Sequence, residues 1–162
     1  MNKDIVKEYG DVLHDPSSIV DRPLEVLSVG PKLDIALGGG VPEGSLFIMT
    51  GPEKVGKTVT ALTFCANAQK HYERKVYYAN IEGRLKKRDL EGIVDLDLDS
   101  EKMQIIGSTE GNILSAEKYL SIVDNIVHTQ PGSLAVVDSF SALSSEAELT
   151  GDLSDMQVMS VQ

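Results

Sequence analysis

Residues 51–58 of this chain read Gly51-Pro52-Glu53-Lys54-Val55-Gly56-Lys57-Thr58. They match the pattern G-x-x-x-x-G-K-[ST], which is the phosphate-binding P-loop. The apolar run at 45–50 (SLFIMT) precedes the motif and predicts a buried parallel strand. A helix-prone run at 58–72 follows it directly. The motif therefore lies between a predicted strand and a predicted helix, as phosphate binding needs. The alternative is a chance glycine turn before a helix, but such a turn would not need a strand before it.

The residues of the motif have distinct chemical roles. Glycines allow successive N–H groups to point at a phosphate, and the helix N-terminus adds a partial positive charge. Lys57 is expected to reach the β- and γ-phosphates of ATP, and the Thr58 hydroxyl to hold Mg²⁺. The predicted nucleotide-binding residues are Gly51, Pro52, Glu53, Lys54, Val55, Gly56, Lys57, Thr58 and Val59.

Composition indicates a globular chain that forms one domain or most of one. The 162 residues are 41% hydrophobic and 25% charged, with a net charge of −10. This acidic balance argues against a nucleic-acid protein with a basic surface, although a local basic channel can lie on an acidic domain. The single cysteine, Cys65, fits the core of a protein from a reducing compartment. We find neither a signal peptide nor an apolar run of membrane-spanning length, and therefore expect a cytoplasmic protein without a membrane partner.

Strands and helices are predicted to alternate along the chain. Short strands are expected at 24–29, 75–81, 103–107 and 133–137, and helical segments at 32–37, 84–92 and 112–128. This order predicts an α/β fold, a P-loop NTPase core with a largely parallel sheet flanked by helices.

Three further segments need interpretation. Residues 1–14 predict a short amphipathic N-terminal helix, which either packs on its own domain or docks on a neighbour. The glycine-rich loop at 38–44 is interpreted as a turn rather than a ligand contact. The basic stretch at 84–92 is interpreted as a solvated face rather than a DNA site, because acidic residues follow it.

Two carboxylates follow predicted strands, where open α/β sheets bind their ligands. Glu82 follows the strand at 75–81, so it either polarises the attacking water or is a solvated loop residue. Asp138 closes the strand at 133–137 in the Walker B pattern, which predicts a contact to Mg²⁺ through water. The three histidines have no metal-ligand spacing.

The chain resembles the bacterial and phage-encoded RecA recombinases over roughly residues 24–162. The matching segments, in the same order as in that family, are 33–44, the P-loop, 136–143 and 147–152. The resemblance implies that Glu82 is the catalytic carboxylate, together with Lys57. It also implies that 1–23 serve in oligomerisation and that 149–158 form the first DNA-binding loop. The DNA-binding residues implied are Gly151, Asp152, Leu153, Ser154, Asp155 and Met156.

The function implied is that of an ATP-dependent DNA recombinase in DNA repair. Protomers of such a protein associate into a helical filament or ring on single-stranded DNA, and they use ATP and Mg²⁺ for strand exchange. Its location would be the cytoplasm of a bacterium or of a phage-infected host.

Three departures from the family pattern bear on this implication. Lys54 and Val55 replace two serines, and the tyrosine that stacks on adenine is absent. The family's later segments, including its γ-phosphate-sensing glutamine and second DNA loop, are expected to be missing. The alternatives are another RecA-fold ATPase, of helicase or regulatory type, and a non-catalytic ATP-binding module.

Overall fold

A computed structural model of the chain describes residues 25–144. Strands and helices alternate in this part, as predicted. In chain order the elements are β1 (Val26–Leu27), α1 (Pro31–Leu37), β2 (Val41–Pro42), α2 (Lys57–Tyr72), β3 (Val76–Asn80), α3 (Lys87–Glu91), β4 (Met103–Ile106), α4 (Ala116–Thr129), β5 (Leu134–Asp138) and a 3-10 helix (Phe140–Ala142). The predicted N-terminal helix at 1–14 and the predicted DNA-binding residues 151–156 lie outside the described residues.

The main sheet has three parallel strands in the order β4-β3-β5, so the prediction of a parallel α/β fold is confirmed. The central strand β3 begins with Val76 opposite Met103 of β4 and Leu134 of β5. It ends with Asn80 opposite Asp138. Parallel strands end at the same edge of a sheet, so the segments that follow β3 and β5 come together there.

Helix α2 packs on one face of this sheet and forms the main core with it. Ala61, Leu62 and Cys65 of the helix cluster with Val76, Tyr78 and Met103 of the strands. Leu62, Cys65, Val76 and Tyr78 are fully buried. Burial of a leucine side chain of this kind contributes about 1.5–3 kcal/mol to folding. Burial also raises the pKa of the Cys65 thiol to about 12. The helix that follows the P-loop is thereby fixed against the central strand.

The short antiparallel strands β1 and β2, which are connected through α1, pack on α2 as a small two-stranded sheet, called here the β1–β2 hairpin. Leu27 pairs with Val41, and both side chains are buried in a second cluster with Phe64 and Ala68 of the helix. Gly40 allows the hairpin to close, because a Cβ atom at that position would lie 2.3 Å from the carbonyl oxygen of Leu27.

Arg74 ties this hairpin to the sheet. Its guanidinium bonds to Glu25, directly before β1, and lies 2.9 Å from Glu43, directly after β2. It also donates to the carbonyl oxygen of Gly132, before β5, at 3.2 Å. An Arg side chain offers five donors in a fixed plane, which suits three partners at once.

Asp34 in the first turn of α1 organises the segment between β1 and this helix. Its carboxylate accepts hydrogen bonds from the Ser28 hydroxyl at 2.6 Å and from the N–H groups of Val29 and Gly30 at 2.8 and 3.2 Å. The Ser28 bond is the main cause that lowers the pKa of Asp34, and the two backbone bonds add to it against the opposing effect of burial.

The prediction of a strand at 45–50 is wrong. The segment forms no strand, and Leu46 and Ile48 are 86% and 70% exposed. Phe47 and Met49, which alternate with them, pack against the two core clusters. Within residues 25–144 no strand pairs with this segment, and a strand needs partners for its backbone groups. One apolar face is therefore covered, although the segment has no strand partner among the described residues.

Other differences concern extent and burial. The strand predicted at 24–29 is only Val26–Leu27 within the described residues, and Asn112 to Ser115 precede α4 instead of forming its first turn. The strand predicted as buried at 133–137 is half-buried as β5, because it pairs with β3 on one side only among the described strands. No helix within residues 25–144 combines the length and the apolar character needed to cross a membrane.

Candidate nucleotide-binding site

The P-loop connects the 45–50 segment to α2, and its second half contains two residues with a left-handed backbone conformation. Gly56 precedes the helix with a φ of 95°, a left-handed conformation that glycine adopts without strain. Lys54, in the middle of the loop, has a φ of 62°, which is uncommon for a residue with a side chain. The first helical bond joins the N–H of Thr60 to the Gly56 carbonyl at 2.9 Å. The helix thus starts directly at the loop, as the motif predicts.

The ammonium group of Lys57 folds back over the loop. It donates to the carbonyl oxygens of Gly51 and Pro52, each at 2.8 Å. An ammonium group has three donors, and these two carbonyls hold it above the turn that the motif forms. Glu53, Val55 and Val59, which were also predicted to bind nucleotide, are exposed around it. The predicted nucleotide-binding residues 51–59 therefore form one continuous loop and helix start.

Thr58 and Asp138 meet across the site. The Thr58 hydroxyl donates to Oδ2 of Asp138 at 2.8 Å, although the two residues are 80 positions apart in the chain. Thr58 is placed by the first turn of α2, and Asp138 by the last position of β5. The structure thus brings together the two residues that the sequence predicts to hold Mg²⁺.

Tyr78 is the third member of this group, and the sequence analysis missed it. Its hydroxyl donates to the same Oδ2 atom of Asp138 at 2.6 Å. Burial raises the pKa of Tyr78 well above its ordinary value, and the hydrogen bond to Asp138 acts in the same direction. A usable signal existed, because a tyrosine in a buried central strand needs a partner for its hydroxyl.

Glu82 lies after β3, beside the segment that follows β5. The Ser139 hydroxyl donates to its Oε1 at 2.8 Å, and a guanidinium nitrogen of Arg84 lies 3.7 Å from its Oε2. The Ser139 hydroxyl also lies 2.9 Å from that of Ser141. Ser139 was not predicted as a site residue. It holds the Glu82 carboxylate on the same sheet edge as Asp138, with the side chain still 36% exposed and within reach of solvent.

The donor set suits a hard cation that keeps water ligands. Thr58 and Asp138 offer hydroxyl and carboxylate oxygens, which are the ligand types Mg²⁺ prefers. Within the described part of the chain, no group of three or more His, Cys, Asp or Glu side chains could form a metal site by itself. Mg²⁺ binds through one or two protein ligands together with substrate phosphates and waters, so the small set fits.

The basic stretch near the site forms ion pairs at the surface. Lys87 lies 3.4 Å from Glu91, and Arg88 lies 3.5 Å from Asp89. The basic side chains of these pairs are more than 80% exposed, at 85% and 81%. Such contacts fit the interpretation of this stretch as a solvated face, since exposed pairs of this kind contribute little energy.

Comparison with known proteins gives a consistent family. The model of the RecA N-terminal domain matches residues 3–162. The chain is 38% identical over 139 residues to Protein RecA of Streptomyces venezuelae, covering 85% of this chain and 34% of that protein. It is 33% identical over 164 residues to Protein RecA of Phytoplasma mali, covering 96% and 44%.

A plant relative shows the same similarity. The chain is 34% identical over 155 residues to the DNA repair protein recA homolog 3, mitochondrial, of Arabidopsis thaliana, covering 90% of this chain and 32% of that protein. The chain thus spans less than half the length of these three relatives. Since the family model matches nearly every residue and the parallel sheet carries the P-loop helix and Asp138 as expected, this chain belongs to the RecA family.

Proposed function

We propose that the chain is the ATP-binding part of a RecA-type recombinase, a DNA-dependent ATPase of homologous recombination and DNA repair. The observation that carries the proposal is the 2.8 Å hydrogen bond between Thr58 and Asp138. It joins the end of the P-loop to the Walker B strand, and this pairing is used to hold Mg²⁺ beside the phosphates of a nucleotide.

The loop at 51–58 binds the phosphates in this proposal. Its backbone N–H groups and the start of α2 favour negative charge. Lys57 exchanges its bonds with the carbonyl groups of Gly51 and Pro52 for the β- and γ-phosphate oxygens. That exchange costs little, because both partners of an ammonium–phosphate bond are ionised, whereas the carbonyl acceptors of the present bonds are neutral.

Thr58 and Asp138 would hold the Mg²⁺ of the nucleotide, Thr58 with its hydroxyl oxygen and Asp138 through water. The bound cation supplies neutralisation of the phosphate charge. Glu82 accepts the hydrogen bond of the attacking water, and Ser139 keeps the carboxylate turned toward the edge where Asp138 lies. A carboxylate that accepts one hydroxyl hydrogen bond and has a guanidinium nitrogen 3.7 Å away retains enough lone pairs to orient and deprotonate a water molecule.

Recombination is proposed from the family and from the names of its members. One relative is named as a DNA repair protein. The protein would associate into a filament or ring on single-stranded DNA, with residues 151–156 in contact with the DNA and residues 1–23 in contact with the next protomer. The cytoplasm of a bacterium or of a phage-infected host is the proposed location. ATP binding would favour the DNA-bound state, and hydrolysis would release it.

The direct test is nucleotide binding by the 162-residue chain. Calorimetry with ATP and Mg²⁺ should show binding that Lys57→Ala weakens by at least about tenfold, because a charged hydrogen bond to phosphate contributes about 1.5–3 kcal/mol. Lys70→Ala is the matched control. It removes a lysine from the other end of the same helix, where the ammonium pairs with Asp95 at 2.7 Å.

Three outcomes would count against the proposal. Equal ATP affinity in wild type and Lys57→Ala would refute the P-loop assignment. Electron microscopy tests for association on single-stranded DNA, and ATP turnover is measured with and without DNA. ATP binding with neither association nor turnover would refute the recombinase assignment for this chain and favour a non-catalytic ATP-binding module. Unwinding of duplex DNA by a closed ring would instead favour a helicase-type ATPase.

A further inference from the structure

Asp138 receives two hydrogen bonds on one oxygen atom. Oδ2 accepts from the Thr58 hydroxyl at 2.8 Å and from the Tyr78 hydroxyl at 2.6 Å. No hydrogen bond to Oδ1 is present within residues 25–144. Among the described residues the carboxylate is therefore anchored through one oxygen, which leaves the lone pairs of the other oxygen for water.

The two donors come from different parts of the fold. Thr58 belongs to the first turn of α2, beside the P-loop, whereas Tyr78 belongs to the central strand β3. The register places Tyr78 opposite Val136, two residues before Asp138. The tyrosine side chain thus extends along the strand direction toward the sheet edge and reaches the carboxylate with its hydroxyl.

The core fixes the position of the Tyr78 hydroxyl. The residue is fully buried, and its ring packs with Leu62, Cys65 and Met103. A ring held on all sides has little freedom to turn its hydroxyl elsewhere. An O–H···O⁻ bond of this length belongs to the short, charge-assisted class. Tyr78 is therefore a rigid donor, whereas Thr58 lies at the start of a helix next to a loop that binds ligand.

We propose that Tyr78 is a positioning residue of the metal site: its hydroxyl fixes the Asp138 carboxylate so that Oδ1 remains directed to the hydration shell of the nucleotide-bound Mg²⁺. The inference rests on the proposed ATP·Mg²⁺ function of the same site. Tyr78 acts through Asp138 and does not itself contact the cation. When Thr58 donates its oxygen lone pair to Mg²⁺, Tyr78 keeps Oδ2 bonded independently of that change.

The test compares Tyr78→Phe with Tyr77→Phe. The second variant removes the same hydroxyl from the preceding residue of β3, which faces the opposite side of the sheet and has no hydrogen bond to Asp138. Calorimetry first measures the affinity of each variant for ADP in the presence of EDTA, which removes Mg²⁺. It then measures how tightly the protein–ADP complex binds added Mg²⁺. Tyr78→Phe should bind ADP in EDTA within about twofold of wild type and should bind Mg²⁺ about tenfold more weakly, the usual effect of losing a bond to a metal-site ligand. Tyr77→Phe should match wild type in both.

Coupling to Asp138 separates positioning from packing. In an Asp138→Asn background, Tyr78→Phe should cause no further loss of Mg²⁺ affinity, since the carboxylate that Tyr78 positions is gone. Equal Mg²⁺ affinity in Tyr78→Phe and wild type would overturn the inference, and so would the same loss with and without Asp138→Asn.

A measurement on the unmodified chain covers the case in which Tyr78→Phe does not fold. The Cζ chemical shift of Tyr78, which reports on its hydroxyl bond, should keep the value of a hydrogen-bonded phenol throughout Mg²⁺ titration of the ADP complex. A change to the value of an unbonded phenol would overturn the inference. If wild type binds ADP but shows no Mg²⁺ dependence, the proposed metal site fails and the inference fails with it. Loss of Mg²⁺ binding in Asp138→Asn but not in Tyr78→Phe would refute the inference alone.

Discussion

Alanine at position 40 should prevent the β1–β2 hairpin from closing as it does. The new Cβ atom would lie 2.3 Å from the carbonyl oxygen of Leu27 and 2.9 Å from its carbonyl carbon. Both are backbone atoms, so no side-chain rotation can relieve the contact. Gly40 also has a φ of +135°, a conformation that L-residues rarely adopt. The hairpin must therefore separate at Leu27 and Val41, whose buried side chains connect it to α2.

The expected loss of stability follows from two contributions. A residue with a side chain in a left-handed conformation costs roughly 1–2 kcal/mol. Forcing a packed region apart to admit an extra methyl group costs typically about 1–3 kcal/mol. Gly40→Ala should therefore lower the free energy of unfolding by roughly 2–5 kcal/mol. A domain with a total stability of about 5–15 kcal/mol would lose a large share of it.

Urea unfolding of the chain, followed by circular dichroism because the sequence has no tryptophan, measures this loss. With a urea dependence of about 1–3 kcal/mol per molar, the midpoint should fall by at least about 0.7 M. Gly38→Ala is the control. Its φ is +73° and nothing lies within 4 Å of the added Cβ, so only the conformational cost of roughly 1–2 kcal/mol applies. Equal midpoints for the two variants would refute the argument from close approach.

Two further predictions concern carboxylates. Glu82→Gln should leave ATP affinity unchanged and slow hydrolysis about 10²–10⁴-fold, because an amide cannot accept a proton from water. Normal single-turnover hydrolysis in this variant would exclude Glu82 as the catalytic carboxylate. Glu91→Gln is the surface control. Asp34→Asn should cost about 1 kcal/mol near neutral pH. Since folding lowers the pKa of Asp34 below 3.8, its stabilisation is complete above that value and is lost as the pH falls through the folded-state pKa. The difference from wild type in urea midpoint should therefore narrow below pH 3.8, and a constant difference would contradict this reasoning.

The sequence predicted the parts of the fold that depend on short-range pattern. Motif and hydrophobic pattern predict the alternation of strands and helices and the start of α2 after the P-loop. They also predict the positions of Glu82 and Asp138 after their strands. The structure then places Thr58 beside Asp138, which the shared sheet edge made predictable. Such features need only local pattern and the rule that parallel strands end together.

Features that depend on register and on strand neighbours were not predicted. The segment at 45–50 has the composition of a buried strand, yet pairing depends on a neighbour that local pattern does not reveal. The bond between Tyr78 and Asp138 requires the register of β3 against β5. The bond between Ser139 and Glu82 requires two loops to meet at the sheet edge. None of these contacts can be inferred from residue spacing within one segment.

The burial of Cys65 has a practical consequence for experiments on this chain. It is the only cysteine in the sequence, it is fully buried between α2, to which it belongs, and the sheet, and its pKa of about 12 keeps it in the unreactive thiol form. A dye attached through maleimide chemistry to a cysteine introduced at an exposed position, such as Val55, should therefore label that position alone. Slow labelling of Cys65 itself would report how often the helix separates from the sheet, and so would measure opening of the core without any substitution.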